Sequence, residues 1–158
     1  MITPAPSLKH QVILTQILTV LMNSCQPDYV IFASPIDLIL SNTEVRQPDL
    51  VMVPRSKMDI ITSRGIEGTP SLVGEILSPH SIKRDRFNKL KVYAQYHILE
   101  YWIIDPANEV FEQYVLAENE YQLFYVYGRG DTVQSEQLKC VSFTIDQPMN
   151  YLIKSSCF

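Results

Sequence analysis

Pro70-Ser71-Leu72-Val73-Gly74-Glu75-Ile76-Leu77-Ser78-Pro79 is a nearly continuous apolar run that carries one acid and stops at Ser-Pro. A short apolar run bounded by prolines reads as a strand, and a strand apolar on both faces lies in the middle of a sheet. Glu75 is then a carboxylate in an apolar setting. Burying it alone costs several kcal/mol unless it is paired, protonated or metal-bound.

Downstream, a helix is expected over roughly residues 81 to 97. Phe87, Leu90, Ala94 and Ile98 fall on one stripe, and Asp85, Lys89, Tyr93 and Tyr96 on another. Glu100 to Ile104 reads as a further strand, closed by Asp105-Pro106. Val110 to Leu116 and Tyr121 to Tyr127 form an antiparallel pair around Ala117-Glu118-Asn119-Glu120, and a last short segment runs near Val141 to Ile145.

Upstream, residues 8 to 24 read as a helix with Ser7 as N-cap, because Ile13, Leu14, Ile17, Leu18 and Leu21 recur at helical spacing. Strands are expected at Tyr29 to Ala33, Asp37 to Leu40 and Asp49 to Val53. The polar stretch from Pro54 to Thr69 reads as a loop with a short helical turn. The order of elements makes a mixed α/β sandwich.

Asp49, just after Pro48 and before Leu50-Val51-Met52-Val53, is a second acid in strand sequence. Two such acids on neighbouring strands make one small electronegative site, and Mg²⁺ is a natural partner for it: it takes one or two carboxylates and keeps its waters. Lys89 lies on the helix after the Glu75 strand, where an ammonium can neutralise charge on a phosphate and orient water. On the residues alone a second reading stays open: two paired or capping acids and a solvated lysine.

The chain has 158 residues, 46% of them hydrophobic and 19% charged, which fits one domain over 1–158 with a real core. The formal net charge of −4 counts against nonspecific nucleic-acid binding by the whole surface, but not against a local basic patch. No apolar stretch is long enough to span a bilayer and the start lacks a secretory pattern, so a cytoplasmic protein is expected. The three cysteines, 25, 140 and 157, are odd in number and lack CxxC spacing, so reduced thiols are expected.

Gln47-Pro48-Asp49-Leu50-Val51, then Val73 to Pro79, then Asp85 to Lys89 with Tyr93, then Glu100-Tyr101-Trp102-Ile103-Ile104-Asp105-Pro106 resemble the Uma-type endonuclease family. This is a bacterial domain of unknown function in the PD-(D/E)XK, restriction-endonuclease-like superfamily. The resemblance runs from about His10 to Tyr127. It implies a restriction-endonuclease-like mixed central sheet flanked by helices. It also implies a Mg²⁺-dependent nuclease, with Mn²⁺ able to substitute, acting on nucleic acid, in the first place DNA.

By the same resemblance Asp49, Glu75 and the main-chain carbonyl of Ile76 hold the metal, Lys89 completes the catalytic set with Tyr93 one turn on, and Asp37 is a supporting acid or, equally, a turn or cap residue. Apart from the resemblance, Ser78 reads as the end of the strand, with a hydroxyl that can reach metal-bound water. The superfamily's usual lysine lies two residues after the acid, and that position here is Leu77. Family members also commonly carry more residues before the first helix. These departures keep a second class in view: a nuclease-fold module for nucleic-acid binding or protein assembly, without chemistry. A hydrolase using Cys or Ser with His has no local signature.

Other residues have plainer expected roles. Glu44 is an exposed loop charge, Trp102 is core, and Asp105 makes a turn. His10 and His80 can touch phosphate, but as isolated histidines they are expected at surface or helix-end positions, and His97 sits near a helix C-terminus. Lys83, Arg84, Arg86, Lys89 and Lys91 form a basic cluster that Arg55, Lys57 and Arg64 can extend. Tyr121, Phe124, Tyr125 and Tyr127 can line the interface of a homodimer.

Overall fold

In the computed structural model, residues 6–79 and 83–150 are described. Helix α1 (Leu8–Cys25) is followed by β1 (Tyr29–Ala33), β2 (Leu38–Ile39), β3 (Val45–Arg46) and β4 (Leu50–Pro54). A 3₁₀ helix (Arg55–Ile60), β5 (Ile61–Thr62), β6 (Gly65–Glu67) and β7 (Leu72–Ile76) come next. Then follow α2 (Lys83–Gln95), β8 (Glu100–Asp105), β9 (Val110–Ala117), β10 (Glu120–Tyr127), β11 (Thr132–Gln134), β12 (Ser142–Thr144) and α3 (Asp146–Met149).

Six strands form the central sheet, in the order β1-β4-β7-β8-β9-β10. β7 and β8 run parallel and the other neighbours antiparallel, so the sheet is mixed as expected. A parallel pair needs a crossover, and α2 supplies it. β7 is the mid-sheet strand the opening decapeptide predicts, with all five residues buried.

Alternation along the strands sorts the core onto the two sheet faces. Leu50, Met52, Leu72, Ile76, Trp102 and Ile104 pack with Ile13, Ile17 and Leu21 of α1. Val51, Val53, Val73, Tyr101 and Ile103 pack with Tyr93 of α2 and with Ile98. The sheet is therefore covered by α1 on one side and α2 on the other. At the start of α1 the Ser7 hydroxyl accepts the His10 backbone N–H at 3.1 Å, so the predicted cap forms.

Two expectations change. The stretch from Pro54 to Thr69 is not only a loop: β5 and β6 form a hairpin, and β6 pairs in parallel with β2 in a small second sheet. Gly65 permits this, since its φ is +138° and a Cβ there would lie 2.4 Å from the Asp37 carbonyl oxygen. The pairing is non-local, so the polar sequence does not announce it. Nor are Cys25 and Cys140 free thiols: they are joined in a disulfide across 115 residues of sequence. Cysteine spacing carries no information about so distant a partner. Cys157, His80 and the Arg84 side chain lie outside the described part.

Candidate metal centre at the end of strands β4 and β7

Strand register brings the two acids together. Leu50 pairs with Gly74 and Val51 with Val73. The pairing ends there: Asp49 is a bend residue just before β4, and its carboxylate takes the Ile76 N–H that the ladder would otherwise use, so the two acids stand at adjoining strand ends. Glu75 lies with Val73 on the face covered by α2, while Asp49 also reaches His10 of α1.

Glu75 is buried, with 6% of its surface exposed. One carboxylate oxygen accepts the Tyr101 hydroxyl at 2.8 Å and meets Lys89 Nζ at 2.9 Å. The other accepts the Tyr93 hydroxyl at 3.3 Å. Lys89 therefore reaches the acid from α2, as predicted. Burial, and then the neighbouring Glu75 charge, push both phenols well above the ordinary tyrosine range. Both stay protonated and keep donating to Glu75 throughout the neutral range.

Asp49 is held from two other directions. Its Oδ2 accepts the Ile76 backbone N–H at 2.8 Å, and its Oδ1 lies 3.3 Å from His10 Nε2 and 3.4 Å from the Ser34 hydroxyl. His10 is thus no surface residue. Its side chain is 11% exposed, and its Nδ1 is buried without a hydrogen-bond partner among the described residues. The signal existed in the sequence: positions 10, 13, 14, 17 and 21 lie on one face of α1.

The remaining predicted residues divide. Tyr93 is fully buried and bonds to Glu75, not to the ammonium of Lys89. Ile76 sends its side chain into the α1-side core, and its N–H serves Asp49. Asp37 lies beside the small sheet, where it accepts Gln47 Nε2 at 2.8 Å and its carbonyl accepts the Ile66 N–H. Ser78 is exposed just past β7. Leu77, at the superfamily's lysine position, pairs its N–H with the Ile104 carbonyl.

The basic cluster also resolves. Arg86 pairs with Glu112 on β9, Arg55 bonds the Gln26 carbonyl, and Arg64 pairs with Glu67. Arg55 and Lys57 follow the far end of β4, roughly 20 Å from Asp49 at the usual strand rise, and so do not extend the patch on α2. Glu44 is half-buried in an ion pair with Arg46 and is no exposed loop charge. Asp105 makes the expected turn by accepting the Ala107 and Asn108 N–H groups, and Trp102 is fully buried.

The donor set suits a hard divalent ion. Both carboxylates are oxygen ligands, and each keeps lone pairs beyond the bonds just described. Among the described residues there is no group of three or more His, Cys, Asp or Glu side chains able to cage a metal.

A family model described as "Putative restriction endonuclease", Uma2, matches residues 1–146, and the chain belongs to that family. A crystal structure described as "a putative nuclease belonging to DUF820", from Anabaena variabilis ATCC 29413, is similar in fold with a TM-score of 0.78. It is 17% identical, and the match covers 97% of this chain and 87% of that one. No curated protein matches the chain.

Proposed function

We propose that this member of the Uma2 family is a Mg²⁺-dependent endonuclease that hydrolyses phosphodiester bonds of DNA, with Mn²⁺ able to replace Mg²⁺. The observation that carries the reading is that the Asp49 carboxylate takes the backbone N–H of Ile76, the chain neighbour of Glu75, while Lys89 Nζ lies 2.9 Å from Glu75.

In this reading Asp49, Glu75 and the Ile76 carbonyl hold the ion. A bound Mg²⁺ supplies positive charge to the attacked phosphate and to the leaving oxygen. Tyr93 and Tyr101 fix the Glu75 carboxylate from below. The Ile76 N–H, Ser34 and His10 fix Asp49. Lys89, half-exposed at the open side, neutralises phosphate charge and orients the attacking water.

The rival reading, a nuclease-fold module without chemistry, draws on the acidic net charge, on the leucine at the superfamily's lysine position and on the protein partners both carboxylates already have. Supercoiled plasmid incubated with Mg²⁺ or Mn²⁺ separates the two. The expected result is relaxation and linearisation by the wild type, and none by Asp49→Ala or without metal. Equal products from both proteins, or none from either, favour the module.

Partner and compartment follow as parts of the same proposal. β10 is an edge strand, and Leu123, Phe124, Tyr125 and Val126 on it are 51%, 50%, 50% and 43% exposed. Consecutive apolar residues on an unpaired edge invite pairing with another chain, and we assign that place to a second copy. Sedimentation should show a dimer that Leu123→Lys with Val126→Lys converts to a monomer. Among the described residues no helix is long and apolar enough to cross a membrane. A cytoplasmic location goes with the nuclease reading. The Cys25–Cys140 bond is of the kind that persists where thiols are oxidised, so thiol trapping on intact cells is its test.

A further inference from the structure

The row that contains Glu75 continues across the sheet. Glu75 pairs with Ile103 on β8, and Ile103 with Glu112 on β9. Residues opposed in this way share a face, so Glu112 lies on the α2 side, two strands or roughly 10 Å from Glu75. Above this row, α2 presents Arg86 and Lys89, three residues apart and therefore neighbours on the helix surface. Lys89 meets Glu75, and Arg86 meets Glu112, whose same oxygen also accepts the Tyr114 hydroxyl at 3.3 Å.

Packing does not fix this part of α2. Val92, Tyr93 and Ala94 are buried, and all lie in its C-terminal half. Among the described side chains from 83 to 91, none is buried, and Phe87 is 71% exposed. The half that carries Lys89 is held to the sheet by two ion pairs and the half-buried Leu90. Arg86 and Glu112 are themselves mostly shielded, with 32% and 19% of their side chains exposed, so their pairing is screened less than a surface bridge.

We infer that Arg86 and Glu112 are positioning residues, which dock the first half of α2 on the sheet and thereby set Lys89 against Glu75. Arg86 acts through the helix, since its Nη2 engages Glu112. The catalytic meaning of this rests on the nuclease reading above; the docking itself does not.

The test reads Lys89 directly. Wild-type protein is treated with an amine-acetylating reagent, and labelling of Lys89 and the exposed Lys91 is followed by mass spectrometry. Arg86→Gln and Glu112→Gln are each expected to speed Lys89 labelling on the order of fivefold, leaving Lys91 unchanged. The reciprocal exchange, Arg86→Glu with Glu112→Arg, is expected to restore the slow rate. Arg86→Lys keeps the charge and serves if a neutral variant does not fold; its Lys89 rate should fall between wild type and the freed helix. Where the wild type cleaves DNA, the neutral variants should lower kcat and leave KM in place. Unchanged Lys89 labelling in the folded variants, or acceleration of Lys91 to the same degree, overturns the inference. A wild type without cleavage but with these labelling changes removes the nuclease reading and leaves the docking standing.

Discussion

Glu75→Gln is expected to abolish cleavage, by about a thousandfold or more, in a protein that still folds. The substitution is nearly isosteric and keeps one oxygen to accept a tyrosine hydroxyl. What it removes is the charge. Glu75 is the centre of the proposed site: it adjoins Ile76, whose N–H the Asp49 carboxylate takes, accepts Tyr93 and Tyr101, and binds Lys89. Neutralising it takes away half of the carboxylate charge available to a cation and strands the ammonium of Lys89. Loss of a single preorganised electrostatic group in such a site costs about a hundredfold to a thousandfold, and a metal carboxylate should stand at the upper end. Circular dichroism matching the wild type is the control. A Glu75→Gln protein that cleaves at the wild-type rate removes Glu75 from the chemistry.

The second large effect concerns stability and lies on the opposite sheet face. Glu100 is fully buried and accepts Trp102 Nε1 at 2.7 Å, Gln113 Nε2 at 2.6 Å and the Ser135 hydroxyl at 2.5 Å. Ser135 in turn accepts the Leu138 N–H, and Gln113 accepts the Tyr127 hydroxyl. The network ties the segment after β10 to the sheet. Glu100→Ala leaves the Trp102 and Ser135 donors without that acceptor and opens a cavity. At about 1–3 kcal/mol per orphaned donor the loss is roughly 4 kcal/mol, a large part of the stability of an ordinary domain. Urea titration should show it as a lower midpoint at unchanged slope.

The same residue has a pH signature. Burial raises the Glu100 pKa above its ordinary value of 4.5, while the bonds from Ser135, Trp102 and Gln113 pull it down. Above 4.5 the unfolded chain releases this proton first, so in that window the native state binds more protons and stability falls as pH rises. The contribution is complete below 4.5 and is lost as pH rises through the folded-state pKa. Glu100→Gln cannot titrate and keeps an oxygen acceptor. The difference in stability between wild type and Glu100→Gln should therefore move in favour of the variant from pH 4.5 to neutrality. A difference independent of pH would show that Glu100 does not carry this linkage.

The fold was legible where apolar periodicity is strong. The run from Leu72 to Leu77 gave the central strand and the spacing of Ile13, Ile17 and Leu21 gave α1. α2 was legible as a helix but not by its buried face: Phe87 of the apolar stripe is 71% exposed, whereas Tyr93 of the other stripe is buried. Asp49 and Glu75 stood out because charged residues in strand sequence demand partners, and Lys89 because it follows on the next helix at the position the family resemblance marks. Pairings between distant segments were not legible. The β2–β6 pair, the Cys25–Cys140 bond and the Arg86–Glu112 contact join residues whose neighbourhood depends on tertiary register. Tyr101 was hidden for the same reason: only the parallel pairing of β7 with β8 turns it towards Glu75. An isolated histidine reads as a surface or helix-end residue; His10 does lie in the first turn of α1, but its place on the buried stripe turns it inward.

The central claim is that Asp49 and Glu75 together hold a divalent cation. Titration calorimetry with Mn²⁺ on the wild type, Asp49→Ala and Glu75→Gln tests it without any need for a substrate. The account predicts one binding event per chain in the wild type and its loss in both variants. Binding of equal strength in all three, or none in the wild type, would contradict it.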